Sequence, residues 1–65
     1  EDTEVTLSAM ANRDILMFWL GDKLLKATTN APTPNEFRYT VDTGRFEFGT
    51  TIQPGQIIQI LNRPL

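Results

Sequence analysis

The stretch Phe37-Arg38-Tyr39-Thr40-Val41-Asp42-Thr43-Gly44-Arg45-Phe46-Glu47-Phe48 decides the fold. Large apolar side chains alternate with polar ones on both arms: Phe37, Tyr39 and Val41, then Phe46 and Phe48. A period of two belongs to strands with one face buried and one face wet. Joined by a two-residue turn at Thr43-Gly44, the arms place Val41 opposite Phe46, Tyr39 opposite Phe48 and Asp42 opposite Arg45. A one-residue slip would set Val41 against Arg45 and Tyr39 against Glu47, so the pattern selects against it. The turn chemistry fits less well, because Thr43 is β-branched where a primed turn needs a positive φ.

Working outward, Thr3 to Ala9 carries Val5, Leu7 and Ala9 on one face and Glu4, Thr6 and Ser8 on the other, which reads as a strand. Asn12-Arg13-Asp14 supplies a polar turn. Ile15-Leu16-Met17-Phe18-Trp19-Leu20 is apolar at every position. A helix capped at Asn12 competes with a strand here, but Gly21-Asp22 interrupts after about two turns and no polar face appears. We read a strand, with a type II′ turn at Gly21 and Asp22 leading into Lys23-Leu24-Leu25-Lys26. That hairpin pairs Trp19 with Leu24 and Phe18 with Leu25. Residues 27–35 form a polar, proline-punctuated loop. Pro54 and Gly55 fit the middle of a type II turn, and Ile57 to Leu61 is the last strand. The fold class is therefore all-β: a small antiparallel β-sandwich or partly open barrel of five or six short strands, with residues 1–65 forming one domain.

Sixty-five residues bury only about 60% of their extended surface, so such a domain is marginal unless something helps it. With no cysteine and no histidine, disulfides and ordinary zinc or haem sites are excluded. We expect no cofactor and no metal. Net charge is −2, from six Lys and Arg against eight Asp and Glu. The one acidic cluster is Glu1, Asp2 and Glu4, and no basic run exists, so nucleic acid is not an expected partner. The longest apolar run is far too short for a membrane span, and no membrane partner is expected. The chain starts at Glu1 rather than Met, which suggests a processed product or a piece of a longer protein.

Asp42-Thr43-Gly44 is the catalytic triplet of aspartic proteases, whose chemistry needs two carboxylates sharing a proton. Arg45 follows where those enzymes carry a small residue, and hairpin turns use the same three residue types constantly. We read a turn, and expect no enzyme. Trp19, Phe37 and Tyr39 could offer a sugar-binding platform, but the alternation turns Phe37 and Tyr39 inward. No calcium loop, phosphate loop, serine elbow or glycosylation sequon is present.

Two segments remain as candidates for recognition. The apolar run presents Leu16, Phe18 and Leu20 on one face and Ile15, Met17 and Trp19 on the other. The rest of the chain has too few apolar residues to cover both. One face is thus expected to meet another chain, with Ile15, Met17, Trp19 and Leu24 as the interface. The 27–35 loop, with Thr28, Thr29, Asn30 and Asn35, is a possible binding loop for a glycan or receptor.

Taken together, Met17-Phe18-Trp19-Leu20-Gly21 with Leu24, Glu36-Phe37-Arg38-Tyr39-Thr40-Val41-Asp42, Arg45-Phe46-Glu47-Phe48 and Pro54-Gly55-Gln56-Ile57-Ile58-Gln59-Ile60 resemble a β module of bacteriophage virion proteins, of the tail-fibre, appendage or decoration type. The resemblance spans about Leu7 to Leu61. It departs at Leu20, where that family usually has Asn, and in the longer 27–35 loop. It implies a structural or receptor-facing module of the virion that forms homo-oligomers, commonly trimers, or joins a larger virion protein. It implies no catalytic residue.

Overall fold

The computed structural model describes residues 2–65, apart from the Asp2 side chain. Glu1, part of the acidic cluster, lies outside the described residues. Six strands form one sheet: β1 (Asp2–Thr6), β2 (Arg13–Leu20), β3 (Lys23–Ala27), β4 (Glu36–Thr40), β5 (Arg45–Ile52) and β6 (Ile58–Pro64), with a 3-10 turn, η1, at Ser8–Met10. Their order is β1-β5-β4-β3-β2-β6. The sheet curls into a half-barrel, so the fold is all-β as expected.

The β2–β3 hairpin has the expected register, with Trp19 opposite Leu24 and Phe18 opposite Leu25. Gly21 holds φ at 65° while Asp22 does not share a positive φ, as a type II′ turn requires. Gly55 sits at φ 84°, and the Gln56 N–H donates to the Gln53 carbonyl at 3.2 Å. That is the expected type II turn around Pro54 and Gly55.

The central hairpin departs from its expected register by two residues. Phe37 faces Phe48, Tyr39 faces Phe46 and Thr40 faces Arg45. A four-residue loop, Val41-Asp42-Thr43-Gly44, replaces the two-residue turn at Thr43-Gly44. The cause is the mismatch at Thr43: in the longer loop only Gly44 takes a positive φ, at 76°. The Gly44 N–H closes the loop onto the Thr40 carbonyl at 2.9 Å. A shift of two preserves every inward and outward face, so the aromatic pattern survives while Val41 moves from the ladder to an exposed tip.

Three further expectations are corrected. β1 stops at Thr6, and Ala9 lies in η1 rather than beside Val5 and Leu7 on a strand. The chain there is claimed by another partner, since the Leu7 N–H donates to the Gly44 carbonyl at 2.9 Å. In β2 the register against β6 breaks between Ile15 and Met17. The extra residue is Leu16, and this bulge turns Ile15 inward to pack on the core while Leu16 is exposed. Finally, the sheet is not wholly antiparallel. β3 and β4 run parallel, with Lys26 beside Glu36 and Ala27 beside Phe37. The 28–35 loop can make this connection because β4 begins where β3 ends, so the chain need only step sideways rather than cross the whole sheet.

The core is Phe18, Leu20, Leu25, Phe37, Phe46 and Phe48. Phe18 is fully buried, with its ring stacked on Phe37 at 4.9 Å between centroids and tilted against Phe46 at 5.0 Å and Phe48 at 5.4 Å. Each such ring stabilises the fold by about 1.5–3 kcal/mol through burial alone. Tyr39 packs on Phe46 and donates its hydroxyl proton to the Met10 carbonyl, while accepting from the Arg13 N–H at 3.3 Å. It thereby ties η1 and the start of β2 to the sheet.

Candidate interaction surface

The outer face of the sheet divides into two halves of opposite chemistry. On β1, β5 and β4 it is charged. Arg38 meets Glu47 through two parallel bonds, Nε to Oε1 at 3.0 Å and a terminal nitrogen to Oε2 at 2.9 Å. Arg45 pairs with Glu4 and lies 3.7 Å from Glu47. These contacts follow from cross-strand pairing, since Arg38 faces Glu47 on β5 and Glu4 faces Glu47 on the other side. The Arg38 guanidinium holds the Glu47 carboxyl below the usual carboxylate value, and Glu47 raises Arg38 in turn. The Arg45 pKa is also raised, chiefly by its bond to Glu4.

On β3, β2 and β6 the same face is apolar around Trp19, and it is bounded at the far end of β2 and β6 by an Asp14–Arg63 ion pair at 2.7 Å. Trp19 stands at the centre, with Leu24 beside it on β3 and Gln59 on β6. Met17 is paired with Leu61 on the next rung. Leu24 and Leu61 each leave 49% of their surface exposed, Met17 leaves 39%, and Ile57 at the head of β6 leaves 65%. Trp19 is half-buried by these neighbours.

Of the four residues expected at an interface, the structure gathers Met17, Trp19 and Leu24 here. Ile15 is removed by the bulge. Leu61, Ile57 and Leu16 join the surface without having been singled out from sequence. The first two carried a usable signal: in Ile57-Ile58-Gln59-Ile60-Leu61, once Ile58 and Ile60 face the core, Leu61 must face out. Leu16 did not, because a bulge depends on the partner strand.

The expected binding loop is divided. Thr28 and Thr29 line an open cleft of 480 Å³ with Ala27 and Tyr39. Asn30 and Asn35 are not among its walls. The Asn30 N–H donates to Thr28 Oγ1 at 3.1 Å within the loop, whereas the Asn35 carbonyl accepts from the Lys26 N–H at 2.9 Å and so extends the β3–β4 ladder. At the loop's far end Glu36 receives the Thr33 N–H at 3.0 Å and the Thr33 hydroxyl at 2.9 Å. These bonds hold its carboxyl below the usual value, the backbone bond most strongly. Phe37 is buried in the core and offers no platform. Asp42 lies exposed on the β4–β5 loop, beside Thr43 and Gly44.

A second apolar hollow, of 390 Å³, lies at the open seam of the half-barrel. Leu7, Ala9 and Met10 form one wall, and Ile58, Ile60 and Asn62 form the other.

Fold and surface together define a small all-β half-barrel whose outer face is ion-paired on β1, β5 and β4 and carries an apolar patch around Trp19 on β3, β2 and β6. No family model, curated protein or solved structure matches the chain.

Proposed function

We propose that this chain is a non-enzymatic structural module of a phage-type virion, a tail-fibre, appendage or capsid-decoration component that assembles with itself or with a larger virion protein. The apolar half of the outer face carries the reading. Met17, Trp19, Leu24, Ile57 and Leu61 form a contiguous patch on a chain of only 65 residues, and patches of this kind mark contact surfaces. Trp and Met are the residue types enriched at such contacts. The virion setting itself comes from the sequence resemblance, which also favours trimers.

The test is mass in solution and recovery of a partner, for wild type and Trp19→Ala. The variant should lose association while keeping its far-UV circular dichroism. Equally stable monomers at micromolar concentration, with no partner captured by either protein, would remove this reading.

A glycan- or receptor-binding module is the second reading. It is favoured by one observation: the open cleft lined by Ala27, Thr28, Thr29 and Tyr39. Glycan-array binding that is lost in Thr29→Ala and retained in Trp19→Ala would select it.

A further inference from the structure

The two ends of the half-barrel are built differently. β1 is five residues long, breaks register between Asp2 and Glu4, and carries the Glu4 carboxylate. Short length, a bulge and charge are the usual devices that prevent an edge from pairing. β6 is seven residues long and pairs only with β2 among the described residues. From Ile57 to Leu61 it has no charge, glycine or proline. Its only such guards, Arg63 and Pro64, stand at the far end.

The free edge is also aimed for pairing. The Ile57 carbonyl accepts from the Gly21 N–H at 2.7 Å, so the backbone at Ile57 points toward β2. Backbone groups alternate in direction along an antiparallel strand, so those of Ile58, Ile60 and Asn62 point away from β2. The side chains of Ile58 and Ile60 meanwhile face inward, against the core and over the seam hollow.

We propose that β6 pairs with β6 of a second copy, antiparallel, across a two-fold axis at Gln59. In this register Ile58 faces Ile60 of the second copy on the inner side, and Ile57 faces its Leu61 on the outer side. The Ile58–Ile60 pairs exchange the backbone bonds, and Gln59 meets Gln59 in the closely spaced, non-bonded position. Three nearby registers also keep inner face against inner face, of which an axis at Ile58 sets Ile57 against Gln59 and Gln56 against Ile60. An axis at Ile60 sets Ile57 against Arg63 and Ile58 against Asn62. An axis at Leu61 sets Ile60 against Asn62 and Gln59 against Arg63. The Gln59 axis alone of the four matches every apolar residue from Ile57 to Leu61 with an apolar one, and it keeps the two Arg63 side chains far apart.

A standard interface takes roughly 800 Å² from each partner, about a fifth of this chain's 4313 Å². One strand edge supplies less than that. The outer stripe adds to it, because Ile57 and Leu61 of the two copies abut across the axis. The proposal rests on the reading that the chain assembles with itself, and it takes a two-fold pairing of β6 edges in place of the trimer that the resemblance favours.

Sedimentation of the full chain tests it, with Gln59→Lys, Gln59→Glu and Trp19→Ala alongside. Wild type should form dimers. Gln59→Lys places two like charges on the axis and should weaken the dimer on the order of tenfold or more. Mixing Gln59→Lys with Gln59→Glu should restore it as a heterodimer. Gln59→Cys should form an intermolecular disulfide on mild oxidation, since Cα atoms in a non-bonded pair are about 4.5 Å apart. Leu61→Cys, displaced from the axis, should not. A dimer that survives Gln59→Lys but is lost in Trp19→Ala overturns the edge pairing and leaves outer-face assembly standing. A trimer, or a monomer up to near-millimolar concentration, also overturns it. The monomer removes self-assembly as a whole and leaves only a larger partner.

Discussion

Phe18 and Phe46 touch, with ring centroids 5.0 Å apart, although β3 and β4 lie between their strands in the sheet. In a flat sheet three strand spacings would separate them by roughly 14 Å. The contact exists because the sheet curls, and Phe18 is the side chain about which it curls. Its ring reaches Phe37 on β4 and both Phe46 and Phe48 on β5.

Phe18→Ala should therefore destabilise the fold by about 3–5 kcal/mol. Against a total of roughly 3–10 kcal/mol for a chain of this length, that removes about a third of the stability or more, and at the low end all of it. Urea unfolding followed by fluorescence of the single tryptophan, Trp19, measures it. A loss below about 1 kcal/mol would mean that the curl does not depend on this ring.

Gly49 is a second point of contact across the fold. The 28–35 loop crosses β5 so closely that a Cβ at Gly49 would run into the backbone of Thr33 and Pro32. Neither backbone can rotate away as a side chain would. Gly49→Ala should cost about 3 kcal/mol, the upper end for overpacking. It should also speed hydrogen exchange at the Glu36 N–H, which donates to the Thr33 carbonyl at 2.9 Å. Gly55→Ala meets no neighbour within 4 Å, so it should cost only the roughly 1–2 kcal/mol of a side chain at positive φ.

Tyr39→Phe keeps the ring on Phe46 and removes the hydroxyl that holds Met10 and Arg13. The expected loss is about 1–2 kcal/mol, for a hydrogen bond whose partly buried partners are left unpaired. Faster exchange confined to η1 and the start of β2 would confirm the role. Unchanged stability would show that those groups find water instead.

The carboxyls of Glu47 and Glu36 are both held below their ordinary value, by Arg38 and by Thr33. A carboxylate depressed in the folded state adds stability that is fully present above the unfolded value, about pH 4.3. That contribution is lost as pH falls through the folded value. Melting temperature should thus be level from pH 7 to about 5 and drop below about 4. Glu47→Gln should flatten part of the drop. A melting temperature that rises on acidification would contradict both assignments.

Much of this protein could be read from its sequence. The period of two from Phe37 to Phe48 and the glycine turns at Gly21 and Gly55 specify strands, faces and one complete hairpin register. Each is a local matter of side-chain alternation and backbone φ. Met17, Trp19 and Leu24 were likewise legible as surplus apolar residues. Other features needed the tertiary structure, because each depends on what packs against the chain from far away in sequence. The β4–β5 loop lengthened by two residues because Thr43 avoids a positive φ, while the Gly44 carbonyl is held by Leu7. Ile15 turned inward because β6 pairs with β2 around a bulge at Leu16. The parallel step from β3 to β4 became possible only because the two strands overlap end to end. Sequence periodicity determined which side chains share a face. The partners of each strand decided where that face stops, and so which apolar residues remained outside.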